Sequence, residues 1–139
     1  MVHALSEIHR VLRPGGSLID LRPVDDRWSI EVNSKGGIQQ TGRMIDYPKG
    51  LEDDEASERA MSQAEVNGWF TREEMASFPL YYSWDTPKEM EDYITEEWEN
   101  ENALEESTKT LTRSTWASAG PDARPRVRLT MSIARWNKI

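Results

Sequence analysis

The sequence contains no cysteine, which removes disulfides, thiolate nucleophiles and cysteine-ligated zinc or iron–sulfur centres together. Histidine is almost as scarce, with His3 and His9 the only two. They lie on one helical stretch at a spacing that sets them on different faces, so they are poor partners for a metal and read as surface residues. A Ser-His-Asp triad would have to recruit one of them. No apolar run approaches the roughly 20 residues that cross a bilayer. His3, Glu7 and His9 interrupt the stretch where a secretory signal would be apolar, so no membrane partner is expected and a cytoplasmic protein is. Clustered basic residues are missing too. A net charge of -8 argues against broad contact with a phosphate backbone, so nucleic acid is not an expected partner.

What is present is bulky apolar surface in a charged exterior: six Trp, four Tyr and six Met among 139 residues, of which 30% are charged. That length suits a single domain over residues 1–139. No repeat, low-complexity segment or linker suggests an internal boundary. The charge is uneven. Residues 51–106 hold 18 Asp and Glu against Arg59, Arg72 and Lys88, which leaves the flanks net positive. A solvated helical surface explains the acidic middle, and a guard for a cationic substrate is the sharper alternative.

The chain opens with a helical pattern from Val2 to Leu12, with Leu5, Ile8 and Leu12 on one face. Pro14 ends it, and Gly15-Gly16 supply a tight reversal into the strand Ser17–Arg22, which Pro23 stops. Trp28, Ile30 and Val32 alternate with polar residues. After Ser34-Lys35-Gly36-Gly37 a second run extends from Ile38 to Ile45, so the two make a hairpin, and Gly42 within it predicts a bulge or a close approach. Leu51 to Asn67 reads as a helix with acids in its first turn and Gly68 as its stop. Thr71-Arg72-Glu73-Glu74 has the form of a capping box and predicts a further short helix before Pro79. Leu80 to Trp84 is a strand candidate. Thr86-Pro87-Lys88-Glu89 starts a helix whose inner stripe is Met90, Tyr93, Ile94, Glu97 and Trp98, and Asn100 and Asn102 divide it from a second one. The last strand runs from Arg126 to Trp136, with Val127, Leu129, Met131 and Ile133 on one face.

Few residues suggest chemistry. Asp25-Asp26 and Asp53-Asp54 could hold a hard cation, but turn and helix-start preferences explain them equally well. Gly15-Gly16 and Gly36-Gly37 lack the spacing of a phosphate cradle. Trp28 follows the carboxyl end of the first strand, where open α/β sheets bind ligands, and Arg22 and Arg27 lie near it in sequence. These three are the candidate contacts for a small-molecule acceptor; the alternative is that Trp28 anchors the hairpin and the arginines pair with local acids. No metal ligand set and no catalytic residue can be named.

The first stretch also carries a resemblance. Glu7-Ile8-His9-Arg10-Val11-Leu12-Arg13-Pro14-Gly15-Gly16 and the following Ser17-Leu18-Ile19-Asp20 resemble the late segment of class I S-adenosylmethionine-dependent methyltransferases, where a helix ending in E-x-x-R-V-L-K/R-P-G-G leads into the fifth strand. Trp69-Phe70-Thr71-Arg72-Glu73-Glu74-Met75 is similar to the family's later F-T/S-R-E-E helix before the sixth strand, and Val127 to Trp136 fits the antiparallel seventh strand between fifth and sixth. Together these cover about a third of the chain.

The resemblance implies an α/β fold: a truncated Rossmann-like methyltransferase half-sheet, mixed, with about three core strands, an added β-hairpin and flanking helices. It implies S-adenosylmethionine as the family's cofactor, but the glycine-rich loop and acidic residue that hold it belong upstream of His3. On this view Met1 is an internal position of a longer ancestral chain, no cofactor-binding residue is carried over, and the chain alone does not bind the cofactor. The expected function is the C-terminal part of a methyltransferase, supplying outer strands and a substrate-side cap. The alternative is a non-catalytic binding or dimerisation module derived from that fold. Without a fourth strand beside it, the Ser17–Arg22 edge invites either a missing N-terminal half or a two-fold homodimer.

Overall fold

The computed structural model describes residues 1–24 and 26–139, so Asp25 and its pairing with Asp26 lie outside the described residues. In chain order the elements are α1 (Val2–Val11), β1 (Ser17–Pro23), β2 (Ser29–Ser34), β3 (Gly37–Arg43), β4 (Ile45–Asp46), α2 (Pro48–Val66), β5 (Phe70–Ser83), α3 (Pro87–Glu97), β6 (Asn102–Ala103), α4 (Glu106–Ser118) and β7 (Arg124–Lys138). The fold is α/β, with four helices and a mostly antiparallel sheet of five strands. Its pairing order is β1-β7-β2-β3, and β5 also pairs with β7. The expected three-stranded mixed sheet is thereby corrected. The hairpin β2–β3 is not appended but hydrogen-bonded into the sheet, because β2 pairs with β7 from Ser29↔Arg128 to Asn33↔Arg124.

Where the sequence offers no boundary, the chain divides into two compact units. The first comprises Met1–Val24, Glu52–Phe78 and Thr130–Ile139; the second comprises Asp25–Leu51 and Pro79–Leu129. Each is assembled from separated stretches, so no composition shift marks the division.

In the first unit, α1 ends as Pro14 and the turn dictate. Gly15 takes φ +71°, and the Gly16 amide donates to the Arg13 carbonyl at 2.9 Å. From Ser17↔Asn137 to Pro23↔Met131, β1 lies antiparallel to β7. The Ile139 amide bonds the Trp69 carbonyl just before β5, and in the second unit the Trp84 amide bonds the Pro125 carbonyl, so β5 also runs antiparallel to β7. Since β1 occupies one edge of β7 over residues 131–137, the ladder to β5 uses the other. Leu5 of α1, Ala60, Met61 and Ala64 of α2, Phe70, Ala134 and Trp136 form the core. At its margin His9 corrects the expectation of a surface residue: it stacks on Trp69 at 6.1 Å and meets Phe70 edge-on at 5.6 Å. Lys138 Nζ closes the end of α1 by donating to the carbonyls of His9 (2.6 Å) and Leu12 (2.8 Å).

Two expectations here are overturned. The short helix at Thr71–Glu74 is instead the beginning of β5. Its capping pattern lacks the apolar stripe a helix needs, since only Met75 and Phe78 precede Pro79, whereas the open side of β7 offers a ladder that an extended segment can join. Among the described residues β5 pairs only with β7, so Pro79 is tolerated there. Second, α2 starts at Pro48, earlier than Leu51, so Glu52 to Glu55 fall beyond its first turn. Proline suits the first helical position, and Gly68 at φ +70° stops the helix as expected.

In the second unit, Lys35 and Gly36 form the hairpin turn. The register shifts at Ile30/Glu31, so that Ile30 faces Gly42 and Glu31 faces Gln40, leaving Thr41 bulged. Gly42 has the second role its position predicted. A Cβ there would lie 2.5 Å from Thr108 Oγ1, so α4 can approach β3 only because the side chain is absent. The bulged Thr41 Oγ1 bonds Thr112 Oγ1 at 2.6 Å, and Thr112 donates to the Thr108 carbonyl at 2.7 Å. Thr86 caps α3, its Oγ1 accepting from the Glu89 amide at 3.2 Å with Pro87 at the first helical position. Ile30, Met44, Met90, Ile94 and Val127 form this unit's core.

Strand β7 carries a feature the alternation did not reveal. Its buried residues are Pro125, Val127 and Leu129 in the second unit, but Ser132, Ala134 and Trp136 in the first. Met131 and Ile133 therefore do not continue the buried face of Val127 and Leu129.

Candidate functional site

Arg22 projects from β1 on the same face as Ala134 and Ser132, the face covered by α2. Its guanidinium pairs with Asp20 (3.3 Å) and with Glu58 of α2. Both partners are acids of the same unit, so its charge is already answered. Arg27 lies in the second unit with φ +47°. Its amide donates to Asp46 Oδ2 (2.7 Å) and its carbonyl accepts from Arg43 Nη1 (3.1 Å). Asp46 also accepts from Asn102 Nδ2 at 2.8 Å, so this carboxylate clasps the loop before β2 to the β4–β6 pair. Trp28 packs on the second unit's core and meets Trp98 edge-on at 5.5 Å. The structure thus places Arg27 and Trp28 as chain neighbours in one unit and Arg22 in the other; Arg22 is ion-paired, Trp28 is packed, and Arg27 is bonded through its backbone.

One ionic centre was not foreseen. Glu31 of β2 is buried, its carboxylate only 5% exposed, and it accepts from Arg126 Nε and Arg128 Nε of β7, each at 2.8 Å, and from Ser29 Oγ at 3.2 Å. Burial pushes its carboxyl pKa up, but the hydrogen bonds and charges of Arg128 and Arg126 outweigh this and hold it below the usual carboxylate range. The Arg126 guanidinium also lies over the Tyr81 ring, 4.3 Å from its centroid. The available signal was Arg124, Arg126 and Arg128 at alternate positions of a strand, which marks a polar face; the partner, almost a hundred residues away, had no local signature.

No family model, curated protein or solved structure matches the chain.

Each unit has a concave region lined by described residues. In the first unit Ile19, Glu74, Met75, Ala76, Ile133 and Arg135 line an open groove of about 520 Å³. It lies on the sheet face away from α1 and α2, where Ile19 and Leu21 keep more than half of their surface exposed. In the second unit a smaller hollow of about 160 Å³ is bounded by Tyr47, Glu91, Thr95, Glu99 and Asn102 among others, and Glu91 is already gripped by Arg113 of α4. Among the described residues no group of three or more His, Asp or Glu could hold a metal, and no helix is long and apolar enough to cross a membrane. The glycine pairs offer no phosphate cradle: the Gly16 amide is used by its own turn, and the Gly36 amide donates to Ser34 Oγ at 3.2 Å.

Proposed function

We propose that this chain is the C-terminal part of an S-adenosylmethionine-dependent methyltransferase fold, that it contributes outer strands and a substrate-side cap, and that it acts only with a cofactor-binding half held on another segment. One observation carries the reading. β1 and β5 flank β7 and both run opposite to it, which is the arrangement the resemblance implies for the fifth, sixth and seventh strands. The α1–Pro14-Gly15-Gly16–β1 passage supports it, while the strand at Phe70–Ser83 withdraws the support of the second motif. The edge of β1 away from β7 pairs with no described strand, and no described helix lies over the apolar face of Ile19, Leu21 and Ile133; the parallel part of the family's sheet, which the resemblance places beside β1, would be covered on both faces. The cofactor would be held by the other half. Equilibrium dialysis of the chain alone against S-adenosylmethionine tests this: no binding is expected at about 100 μM ligand, and micromolar affinity overturns the reading.

The same unpaired edge favours a second reading, a non-catalytic module that dimerises by pairing β1 antiparallel with its copy. Light scattering distinguishes it. A dimer that Ile19→Pro converts to a monomer supports it, and a wild-type monomer at micromolar concentration excludes it.

A further inference from the structure

The second unit ends in a group of aromatic rings that its core does not fully enclose. Tyr82, Trp84, Tyr93 and Trp98 all touch one another, with centroids between 5.1 and 6.4 Å apart. Trp84 and Trp98 pack inward on the core that holds Met90 and Ile94. Tyr82 and Tyr93 point the cluster outward, each 36% exposed. Rings gathered at one point of a surface and left partly in water mark a contact site, because their apolar area is buried only when something covers it.

The surrounding charge selects what that is. Tyr93 lies on α3, and Glu96 and Glu97 follow at the spacings that share its helix face. Both are exposed, and among the described residues neither forms a salt bridge. The bases nearest in sequence are already tied, Lys88 to Asp92 at 2.6 Å, Lys109 to Glu106 at 2.7 Å and Arg113 to Glu91 at 2.8 Å. Ring faces carry negative electrostatic potential, so the rings and the carboxylates favour the same sign of ligand. An anionic partner would be repelled, and a neutral apolar one would cover the rings while desolvating two carboxylates without pairing them.

We propose that this surface binds a lysine- and arginine-rich segment of a partner protein, whose cationic groups stack on Tyr82 and Tyr93 and pair with Glu96 and Glu97. The inference does not depend on the methyltransferase reading. An oligo-arginine peptide titrated into the full chain at low ionic strength, followed by the indole N–H resonances, tests it. The expected result is saturable binding that shifts Trp84 and Trp98 and spares Trp69 and Trp136 of the first unit. The double variant Glu96→Gln/Glu97→Gln and the single variant Tyr93→Leu should each weaken binding about tenfold. A charge-matched control, Glu52→Gln/Glu55→Gln on α2, should change it less than about twofold. Equal losses for the two double variants would reduce the effect to net charge and overturn the proposal, as would no binding at about 1 mM peptide. Should Tyr93→Leu lose its folded circular-dichroism spectrum, the paired glutamate variants decide alone.

Discussion

The two units leave opposite kinds of surface on the side of the sheet their helices do not cover. In the first, that side is apolar: Ile19 and Leu21 of β1 and Ile133 of β7 stand partly in water around a groove. In the second it is ionic, with Glu31 between Arg126 and Arg128 and Arg126 lying over Tyr81. β7 supplies both surfaces, since odd-numbered residues are buried over 125–129 and even-numbered ones over 132–136. The second unit satisfies its uncovered side with its own side chains. The first leaves apolar area exposed to water that its own helices do not cover.

Removing the carboxylate that makes the second surface self-sufficient should have the largest effect. Glu31→Ala leaves Arg126 nearly buried without its anion and should cost about 3 kcal/mol in urea denaturation, Arg128 recovering part of its hydration because it is more exposed. The pH dependence has a definite sign. The folded carboxyl is held below its unfolded value, so its contribution is complete above about pH 4.3 and is lost as pH falls through the folded pKa. The stability gap between wild type and Glu31→Gln should therefore be full at neutral pH and shrink in acid. Next, Gly42→Ala should cost about 2 kcal/mol by pushing a methyl into Thr108, and Thr108→Gly in the same chain should restore part of it, as thermal melts would show.

In the first unit the dominant polar bond is at a helix end. Lys138→Met frees the carbonyls of His9 and Leu12 and should cost about 1.5 kcal/mol, read by faster amide exchange in α1. The smallest effect sharpens the comparison most. Ile19→Thr or Leu21→Thr, on the uncovered apolar side, should change the stability of the chain alone by no more than about 0.5 kcal/mol. A much larger loss would mean that this side is covered in solution.

Elements punctuated locally were legible in the sequence. The Pro14-Gly15-Gly16 turn, the Gly36 hairpin and the Thr86-Pro87-Glu89 helix start all appear where expected, because the residues that make each one are neighbours in the chain. Gly42 was legible as a close approach, though not that Thr108 makes it. The candidate site was less legible. Arg22, Arg27 and Trp28 were grouped by sequence proximity, yet Arg22 answers to Asp20 and Glu58 in one unit while Trp28 packs in the other. Leu80 to Ser83 is the strand its alternation predicted, but Thr71 to Phe78 misled for a related reason: its capping box is a local signal, and the ladder with β7 that outweighs it is formed by residues some 50 positions later.

The sequence by itself determined the cysteine-free chemistry, the charge distribution, the turns and caps, and the alternation that makes Arg124–Lys138 a strand. Only the tertiary structure decided which parity of that strand is buried in each unit, which arginines Glu31 would hold, and that β5 would begin at Phe70, where the local signal is that of a helix. Alternation fixes that neighbouring side chains point to opposite faces, but which face becomes interior depends on where the helices pack, and that choice is made by contacts far apart in the chain.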